Sequence, residues 1–597
     1  MPYIKKPLIN YTNREFETIK ADLVNYAQKY YPETMQDFNE ASFGSLMLDM
    51  VALVGDMLSF YIDYQANESF IETANEYENV LNLSKHFGYK YKPNASSMGQ
   101  VSFFVLVPAL GGSVAPNLNL APIIRKGSLF STTIGTLFTL MEDINFSQSS
   151  DIVAGEVNAT TGAPTSYAIK AQGIVVSGEL RSKDYTIGAY EKFLRVQIDD
   201  SNVTEVVAAF DSNGNNYYEV DYLTQNTVYV SVINNQSNMD TVRNILKPVS
   251  VPHRFVVEHN ELSTTLQFGF GTQDNEAKIL DPTNIILNVF GKEHFSEPSF
   301  DPTVLIKTDK LGVVPSDTVL TVIYRRNTTS NVNAAANSLR NTVNAQFQFR
   351  NAQTLNAGLM TGVRNSLELT NENPIFGDVS AISAEELKYR AYGTYGAQNR
   401  AVTKEDYITM IYNMPANFGQ VKKATIERDV DSFSGKNLNL YVLSTNDGGK
   451  FAPTNLTIKQ NLKTWINQYK MLGDTIDILD GRVINLEIKF TVVAFANVNK
   501  YDVLQLCLNT LTSFFQGSYY DLGEPFKITD VYKLLNNISQ VLDVKDVTVT
   551  PKRGAGYSDY APSFDELASD DGRFLMAPHD TAFEILSPTN DIDGEVI

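Results

Sequence analysis

The spacing of hydrophobic and polar residues changes several times along the chain. Residues 1–95 have helical spacing, so an N-terminal helical bundle region is predicted. The predicted helices are "REFETIKADLVNYAQKY" after a capping box of Thr12 and Glu15, a helix over about 42–65, and a helix that follows a box of Thr73 and Glu76 and ends at Gly88.

From 96 to 369 the pattern changes to short stretches of β-branched and aromatic residues between Gly, Asn and Asp turns. The stretches are "QVSFFVLVPAL", "KFLRVQI", "NTVYVSVI", "HRFVVEH", "TTLQFGFG", "NIILNVFG" and "VLTVIYRR". Residues 145–180 are rich in Ser, Thr, Gly and Ala, which indicates surface loops or an inserted hairpin, and 145–250 is the candidate for an insertion. A β-rich middle region is therefore expected, with a mixed pattern over 331–369.

Two small α+β domains are expected next, at 370–480 and 481–554. In the second, the strand "INLEIKFTV" alternates strictly, and two helices at about 499–516 and 529–541 lead to the strand "VKDVTVTP". Residues 555–597 are acidic and interrupted by proline, and we expect an irregular tail that docks on another subunit. The predicted fold class is thus a multidomain α+β protein.

The second predicted helix carries an unusual line of acids. Residues 46–63, "LMLDMVALVGDMLSFYID", contain thirteen apolar residues and three aspartates at intervals of seven, Asp49, Asp56 and Asp63. Seven residues make just under two helical turns, so the carboxylates form one line on an otherwise apolar helix. A membrane span is disfavoured, because each central carboxylate costs roughly 2.5–3.5 kcal/mol to insert. A bundle helix fits better, and the acid line faces either solvent or basic groups of a partner.

The net charge of −20 is concentrated at the two ends. Residues 31–84 contain ten acids and no Lys or Arg, and 555–597 contain ten acids and one Arg, which leaves −1 for the rest. Such a chain is a poor nucleic-acid binder, because phosphate contacts need clustered Lys and Arg. The single cysteine, Cys507, excludes an intrachain disulfide and suits a reducing cytoplasm. The N-terminus has no secretory signal pattern.

Motifs for chemistry are missing from the sequence. There is no phosphate-binding G-x-x-x-x-G-K-[ST], no H-E-x-x-H and no G-x-S-x-G, and the five histidines are scattered. A carboxylate pair could still be hidden among the 68 acids, so a hydrolase stays open as an alternative. We nevertheless expect no enzyme, no cofactor and no metal site.

The stretch 370–407, "TNENPIFGDVSAISAEELKYRAYGTYGAQNRAVTKEDY", carries a resemblance. Its matching residues are Thr370, Asn371, Pro374, Gly377 and Asp378, the helix from Glu385 and Glu386 to Arg390, and Arg400, Ala401, Val402, Thr403, Asp406 and Tyr407. It resembles the baseplate-J-like family, the wedge proteins of contractile phage tails. Independently, "INYTNREFETIKADL", "DFNEASFGSLMLDMVALVGDMLSFYIDYQANESFIETA" and "KHFGYK" resemble the N-terminal region of the larger T-even-type wedge subunit.

The motif also has a physical interpretation of its own. Thr403 and Asp406 have the spacing of a capping box, and Arg400 precedes the helix that they begin. We expect the Arg400 guanidinium to fork onto Glu385 or Glu386 and brace the two helices. This is a structural role, and the resemblance brings no catalytic residue with it.

The resemblance implies an assembly role. Wedge proteins form homodimers within a wedge and a ring between wedges around the tail hub, join a second wedge subunit through a helical bundle, and carry a small sheath-initiator protein. The ring dilates when the tail fires and triggers sheath contraction. The implied location is the virion tail baseplate after assembly in the host cytoplasm, with no nucleic acid bound and no membrane insertion. A receptor- or glycan-binding tail fibre protein is the other alternative.

Overall fold

The chain, a computed structural model, divides into two units. The structure describes residues 9–12, 14–31, 33, 42–91, 96–110, 115–158, 162–200, 202–233, 244–260, 263–272, 311–327, 332–377, 382–415, 418–429, 437–446, 449–496, 498–516, 520–554 and 556–597. One unit comprises Met1–Tyr91 and Ala381–Asn413, and the other comprises Lys92–Ser380 and Met414–Ile597. The predicted α+β class, with N-terminal helices and a β-rich middle, is confirmed.

The described α-helices range from one turn to seven turns. They are α1 (Phe16–Tyr30), α2 (Phe43–Glu68), α3 (Tyr77–His86), α4 (Ala357–Asn365), α5 (Ala384–Ala397), α6 (Lys404–Tyr412), α7 (Leu456–Ile466), α8 (Lys500–Phe515), α9 (Ile528–Asn536), α10 (Phe564–Leu567) and α11 (Pro588–Asp591).

The strands are concentrated after residue 97. They are β1 (Met98–Pro108), β2 (Ile123–Ile124), β3 (Leu129–Thr132), β4 (Leu137–Leu140), β5 (Ile144–Asn145), β6 (Asp151–Val157), β7 (Pro164–Ser177), β8 (Glu179–Ile187), β9 (Arg195–Ile198), β10 (Val203–Asp211), β11 (Asn216–Glu219), β12 (Thr227–Ile233), β13 (Asn244–Ser250), β14 (Arg254–His259), β15 (Thr264–Phe268), β16 (Thr318–Arg326), β17 (Leu339–Asn344), β18 (Phe347–Gln348), β19 (Glu368–Thr370), β20 (Lys423–Arg428), β21 (Asn437–Thr445), β22 (Phe451–Ala452), β23 (Thr475–Asp480), β24 (Arg482–Ala494), β25 (Phe526–Lys527), β26 (Val541–Pro551), β27 (Phe574–Leu575), β28 (Thr581–Glu584) and β29 (Ile592–Val596). The predicted strand "NIILNVFG" at 284–291 lies outside the described residues.

The helical unit joins segments that are 300 residues apart in sequence. Val80 and Leu81 of α3 pack in one buried cluster with Leu387 and Ala391 of α5. The apolar face of α5 is therefore covered by the N-terminal helices. The sequence pattern instead placed residues 384–412 with 370–480, because periodicity does not reveal which distant element covers a helix.

The predicted end of α3 agrees with the structure, because Gly88, at φ +83°, follows the helix. Helix α5 is capped locally by the Ser383 hydroxyl, which accepts the Glu386 N–H at 3.2 Å. The predicted boxes at Thr12 and Thr73 are wrong. Glu15, with Thr18, caps α1. The two threonines bond elsewhere, because α2 offers them better-placed acceptors.

Two seven-stranded sheets form the β-rich region. The first has the order β17-β3-β4-β7-β1-β19, with β6 also paired to β7, and the second has the order β8-β16-β10-β11-β14-β15-β9. In the first, β1 pairs along its whole length with β7, and β7 also forms a hairpin with β6. The second sheet lies in sequence between β7 and β17. The inserted part thus runs over 179–326, whereas the sequence made 145–250 the candidate.

The C-terminal region contains the two small sheets that the sequence indicates. Strands β20, β22 and β23 all pair with β21, and β24 is central to the next sheet. The inward residues of β24 are almost completely buried, as its alternation predicts: Ile484, Leu486, Ile488, Phe490 and Val492. Helices α8 and α9 follow β24 and precede β26, so the predicted strand–helix–helix–strand order is confirmed.

The prediction of an irregular tail over 555–597 is wrong from Thr581 onward. Strands β28 and β29 both pair with β24 in parallel, on the side opposite β26. Phe583 and Ile592 are buried in the same cluster as the β24 residues. Asp591 is fully buried and accepts a hydrogen bond from the Tyr557 hydroxyl at 2.7 Å. The segment completes its own domain's core, because a few well-placed apolar residues suffice once β24 supplies the backbone partners.

Candidate assembly surface

Helix α2 has one face made of polar and small residues. We call it the polar seam, and its residues alternate at spacings of four and three: Ser45, Asp49, Ala52, Asp56, Ser59 and Asp63. Ser45, Ala52 and Ser59 are buried, and the three aspartates are half-buried. Spacings of four and three keep residues on one narrow stripe of a helix that faces a neighbouring helix. The polar seam is therefore a contact face.

The neighbour on the polar seam belongs to the same chain. The Lys20 ammonium of α1 lies 2.8 Å from the Asp49 carboxylate. Before α1 begins, the Thr12 hydroxyl lies 2.5 Å from the Ser59 hydroxyl, and the Thr12 N–H donates to the Asp63 carboxylate at 2.9 Å. These contacts combine charge and directed hydrogen bonds, so they fix both the face and the position at which α1 meets α2.

Two further contacts continue this attachment. Asn67 exchanges two hydrogen bonds with the backbone of Ile9, one from the Ile9 N–H at 3.1 Å and one to its carbonyl at 2.8 Å. A Cβ atom on Gly55 would lie 3.3 Å from the Ile19 side chain, so α1 and α2 approach closely there. The N-terminal segment is thus tied to α2 at several points.

These contacts correct both interpretations of the acid line. Asp49 and Asp63 are held by α1 and the segment before it, which supply their partners. Asp56 lies between them on the same seam and is half-buried. The sequence correctly predicts that the three carboxylates share a line, but the basic group that the line meets is Lys20 of the same chain.

Most of the remaining surface of α2 is apolar and exposed. We distinguish a first apolar seam and a second apolar seam, again at spacings of four and three. The first consists of Phe43, Leu46, Met50, Leu53, Met57, Phe60 and Tyr64, and the second of Met47, Val51, Val54, Leu58 and Tyr61. Their exposed fractions are 37–74% in the first seam and 39–61% in the second. Helix α2 contains no Lys or Arg.

Such exposure is unusual for a folded chain. The two seams together expose on the order of 1,000 Å² of side chain, against a largest apolar patch of about 300–600 Å² on a typical monomer. The helix is about 39 Å long, and the two seams are centred roughly 90° apart around it. A continuous apolar surface of this size marks a place where other molecules bind.

By length and composition α2 could also cross a membrane, and among the described residues it is the one helix that meets these criteria. One such helix is weak evidence, since bundle helices meet the same criteria. The polar seam argues against a span, because three carboxylates would enter the bilayer with it.

The second group of predicted site residues surrounds the start of α6. The capping box of Thr403 and Asp406 is confirmed: the Thr403 hydroxyl accepts the Asp406 N–H at 3.2 Å, and the Asp406 carboxylate accepts the Thr403 N–H at 2.9 Å. Burial acts to raise the pKa of Asp406, but hydrogen bonds with Thr403 and with the Val402 N–H, together with the charge of Arg400, outweigh it and hold that pKa below its usual value. Tyr407 is buried one turn later. These residues begin and anchor a helix.

Arg400 does not make the brace that the sequence suggests. It is exposed, and among the described residues the partner of Glu386 is Arg390, with Nη2 2.6 Å from Oε1. The Arg390 guanidinium also lies 4.7 Å from the centre of the Tyr412 ring of α6. Arg390 therefore joins α5 to α6. The spacing of four between Glu386 and Arg390 was the signal that could have identified the pair.

The exposed apolar helix α2 lies in the part of the chain that matches a known family model. Residues 15–86, which contain α1, α2 and α3, match the family model described as "Bacteriophage baseplate protein, N-terminal domain". The polar seam and both apolar seams lie within this match. It supports a structural role in a baseplate.

Other comparisons add little to this match. No curated protein sequence matches the chain. The cryo-EM structure of the anti-feeding prophage (AFP) baseplate, 6-fold symmetrised, aligns with 98% of this chain and 99% of its own at 9% identity and a TM-score of 0.26. The TssK-TssF-TssG baseplate subcomplex of the type VI secretion system aligns with 73% of this chain and 96% of its own at 8% identity and a TM-score of 0.22. Likenesses this low carry no argument.

Proposed function

We propose that the chain is a structural baseplate wedge subunit of a contractile phage tail. In this role it forms part of the ring around the hub and transmits the conformational change that triggers sheath contraction. One observation carries the proposal: α2, within the segment that matches the baseplate model, exposes two apolar seams along its length.

The number of seams indicates the number of helical neighbours. A helix packs against one neighbour along each apolar seam with heptad spacing. The polar seam of α2 is occupied by α1, so two places remain for helices of other chains. We assign them to a second copy of this chain, which gives the homodimer of a wedge, and to a second wedge subunit.

The other helices of the unit are packed together, as expected for a unit that moves as a rigid body. Arg390 links α5 to α6, and Leu81 of α3 packs with Leu387 of α5. A packed unit of this kind carries displacement from one interface to the next without local unfolding. The ring between wedges and the sheath-initiator protein are further proposed partners, and they follow from the sequence resemblance. The proposed location is the virion tail baseplate, after assembly in the host cytoplasm.

Self-association of the full chain tests the proposal directly. The variant Leu53→Gln/Leu58→Gln places one amide in each apolar seam, and Leu472→Gln is the control, since Leu472 is fully exposed outside α2. By sedimentation, wild type and Leu472→Gln should self-associate, and the double variant should have a dissociation constant at least about tenfold higher. Equal dissociation constants for all three would contradict the assignment of a second copy to α2.

Two further measurements separate the alternatives. A label at the C-terminus should appear at the baseplate when tails that contain the chain are imaged by electron microscopy, and a label along fibres would contradict a wedge subunit.

Wild type should also remain free in flotation with phosphatidylcholine vesicles. Flotation that Leu53→Gln/Leu58→Gln abolishes would mean that the seams meet lipid, and the bundle proposal would be wrong.

A further inference from the structure

The three seams of α2 share one geometry and differ in chemistry. Each follows spacings of four and three, so each is suited to receive a helix. Two are apolar and exposed, whereas the third carries Asp49, Asp56 and Asp63 and is covered by α1 of the same chain. The position of a neighbour around α2 is therefore linked to the chemistry of the seam that it meets.

A helix with three apolar seams could not select which neighbouring helix binds to which seam. Apolar packing is not directional, so α1 and helices of other chains would compete for every face, and assemblies of mixed composition would form. A few polar residues at interface positions are a known solution, because they favour only the neighbour that satisfies them. The line of aspartates in α2 has the right position and spacing for this purpose.

The segment around α1 supplies groups that an apolar helix lacks. Lys20 gives Asp49 a counter-charge, and two backbone N–H groups, of Tyr11 and Thr12, donate to Asp63 together with the Thr12 hydroxyl. A helix from another chain that covered this seam with Leu or Met would bury the carboxylates without partners, which is strongly unfavourable. The polar seam thus stabilises the packing of α1 and makes the packing of an apolar helix unfavourable.

We propose that Asp49, Asp56 and Asp63 are specificity-determining residues of the assembly, which reserve one face of α2 for α1 and leave two for other chains. This rests on the proposed function as far as the occupants of the two apolar seams are concerned. It explains why the acids recur at seven residues: they protect the full length of one seam. It also explains why they are half-buried, which aspartates that served only solubility would not be.

A substitution series on a blocked background tests the proposal. In the full-length Leu53→Gln/Leu58→Gln chain, both apolar seams carry an amide. Adding Asp49→Leu, Asp56→Leu and Asp63→Leu makes the third seam apolar, and adding the three Asp→Asn substitutions keeps it polar. The Leu set should restore self-association in sedimentation, with at least about a tenfold lower dissociation constant than the Asn set.

Amide hydrogen exchange shows which face is used. In the Leu set, residues 16–30 should lose protection on self-association, because other chains displace α1, while they should stay protected in the Asn set. On the same Leu53→Gln/Leu58→Gln background, the single variant Asp56→Leu keeps the contacts of Asp49 and Asp63. It should show a smaller loss of protection in residues 16–30. Unchanged protection around Leu81 and Leu387 shows that the unit is folded in each variant.

Failure of this proposal and failure of the proposed function give different results. If the Leu set stays monomeric with α1 protected, the aspartates do not sort neighbours, whatever the wild type does. If instead the wild-type chain never self-associates but the Leu set on the blocked background does, the homodimer is wrong and the sorting role stands.

Discussion

Arg390 donates a hydrogen bond to Glu386 one turn earlier in α5, with 2.6 Å between Nη2 and Oε1. Its guanidinium also lies over the Tyr412 ring of α6, and only 6% of its side chain is exposed. One cation therefore holds a carboxylate on its own helix and an aromatic ring on the next. This is the link between helices that the sequence assigned to Arg400.

Replacement of Arg390 by Met should weaken the α5–α6 hairpin. We expect a loss of roughly 1.5–3 kcal/mol, the usual range for a hydrogen bond to a charged group. The loss should not exceed this range, because Glu386 is half-exposed and regains water when Arg390 is replaced. Arg400→Met is the matched control, and since Arg400 is exposed it should change stability by less than about 0.5 kcal/mol. Amide hydrogen exchange over 384–412 measures both, and a larger effect at Arg400 would restore the original hypothesis.

Gly393 of α5 should not tolerate a methyl group. A Cβ atom there would lie 2.5 Å from the Thr409 hydroxyl of α6, whereas a Cβ at Gly396 meets nothing within 4 Å. Gly393→Ala should therefore destabilise the hairpin by about 1–3 kcal/mol, and Gly396→Ala should stabilise it by up to about 1 kcal/mol. Thermal unfolding checks the opposite signs. Adding Thr409→Ala should rescue Gly393→Ala, and no rescue would show that the contact is not the cause.

The sequence predicts elements well where one local signal decides them. Strand β24 is clear because its buried residues alternate, and α6 is clear because Thr403 and Asp406 cap it without help from distant residues. The prediction for the tail failed because β28 and β29 depend for their backbone partners on β24, which lies about a hundred residues earlier in the chain. Composition describes the chain alone and cannot show that a neighbouring strand has a free edge.

The site shows the same limit more sharply. Periodicity separates the faces of α2, so the line of Asp49, Asp56 and Asp63 is predictable. It does not show which face the chain covers, and an apolar face is normally the covered one. In α2 the polar face is covered, because Lys20 and Thr12 happen to reach it from the segment around α1. This exception leaves the two apolar seams of α2 exposed, and only the structure shows it.

The C-terminal segment should be essential to its domain's core. Phe583 of β28 is fully buried against the β24 residues, whereas Met576 is 54% exposed. Phe583→Ala should cost about 3–5 kcal/mol through the cavity it leaves, and Met576→Ala should stay within about 0.5 kcal/mol of wild type. Hydrogen exchange over 484–515 reports the effect. If both variants match the wild type, the segment lies on the domain without supporting it.

Asp406 should make the helical unit sensitive to acid. Burial acts to raise the pKa of its carboxyl, but hydrogen bonds with Thr403 and Val402 and the charge of Arg400 stabilise the charged form and hold that pKa below the usual 3.8. The folded state then binds this proton more weakly than the unfolded state, so the stabilisation is present above pH 3.8 and is lost as pH falls through the lowered value. Asp406→Asn should reduce the loss of stability in acid, measured by hydrogen exchange over 404–412. The exposed Glu385→Gln should leave it as in wild type.

Glu584 should have the opposite effect in the C-terminal domain. Burial raises the pKa of its carboxyl above 4.5, although the Phe451 N–H, Lys450 and Asn485 act in the other direction. The folded state therefore holds this proton more tightly, so its contribution to stability is present below pH 4.5 and is lost as pH rises through the raised value.

Glu584→Gln keeps an acceptor for the Phe451 N–H, which lies 2.9 Å away, and removes the titration. The free energy of unfolding of this domain, followed by denaturant titration, should fall with rising pH above 4.5 in wild type and less steeply in Glu584→Gln. Glu595→Gln is the control, because Glu595 is exposed on the neighbouring β29. Equal slopes in wild type and Glu584→Gln would show that folding does not raise the pKa of this carboxyl. The interaction with Lys450 would then fully offset the effect of burial.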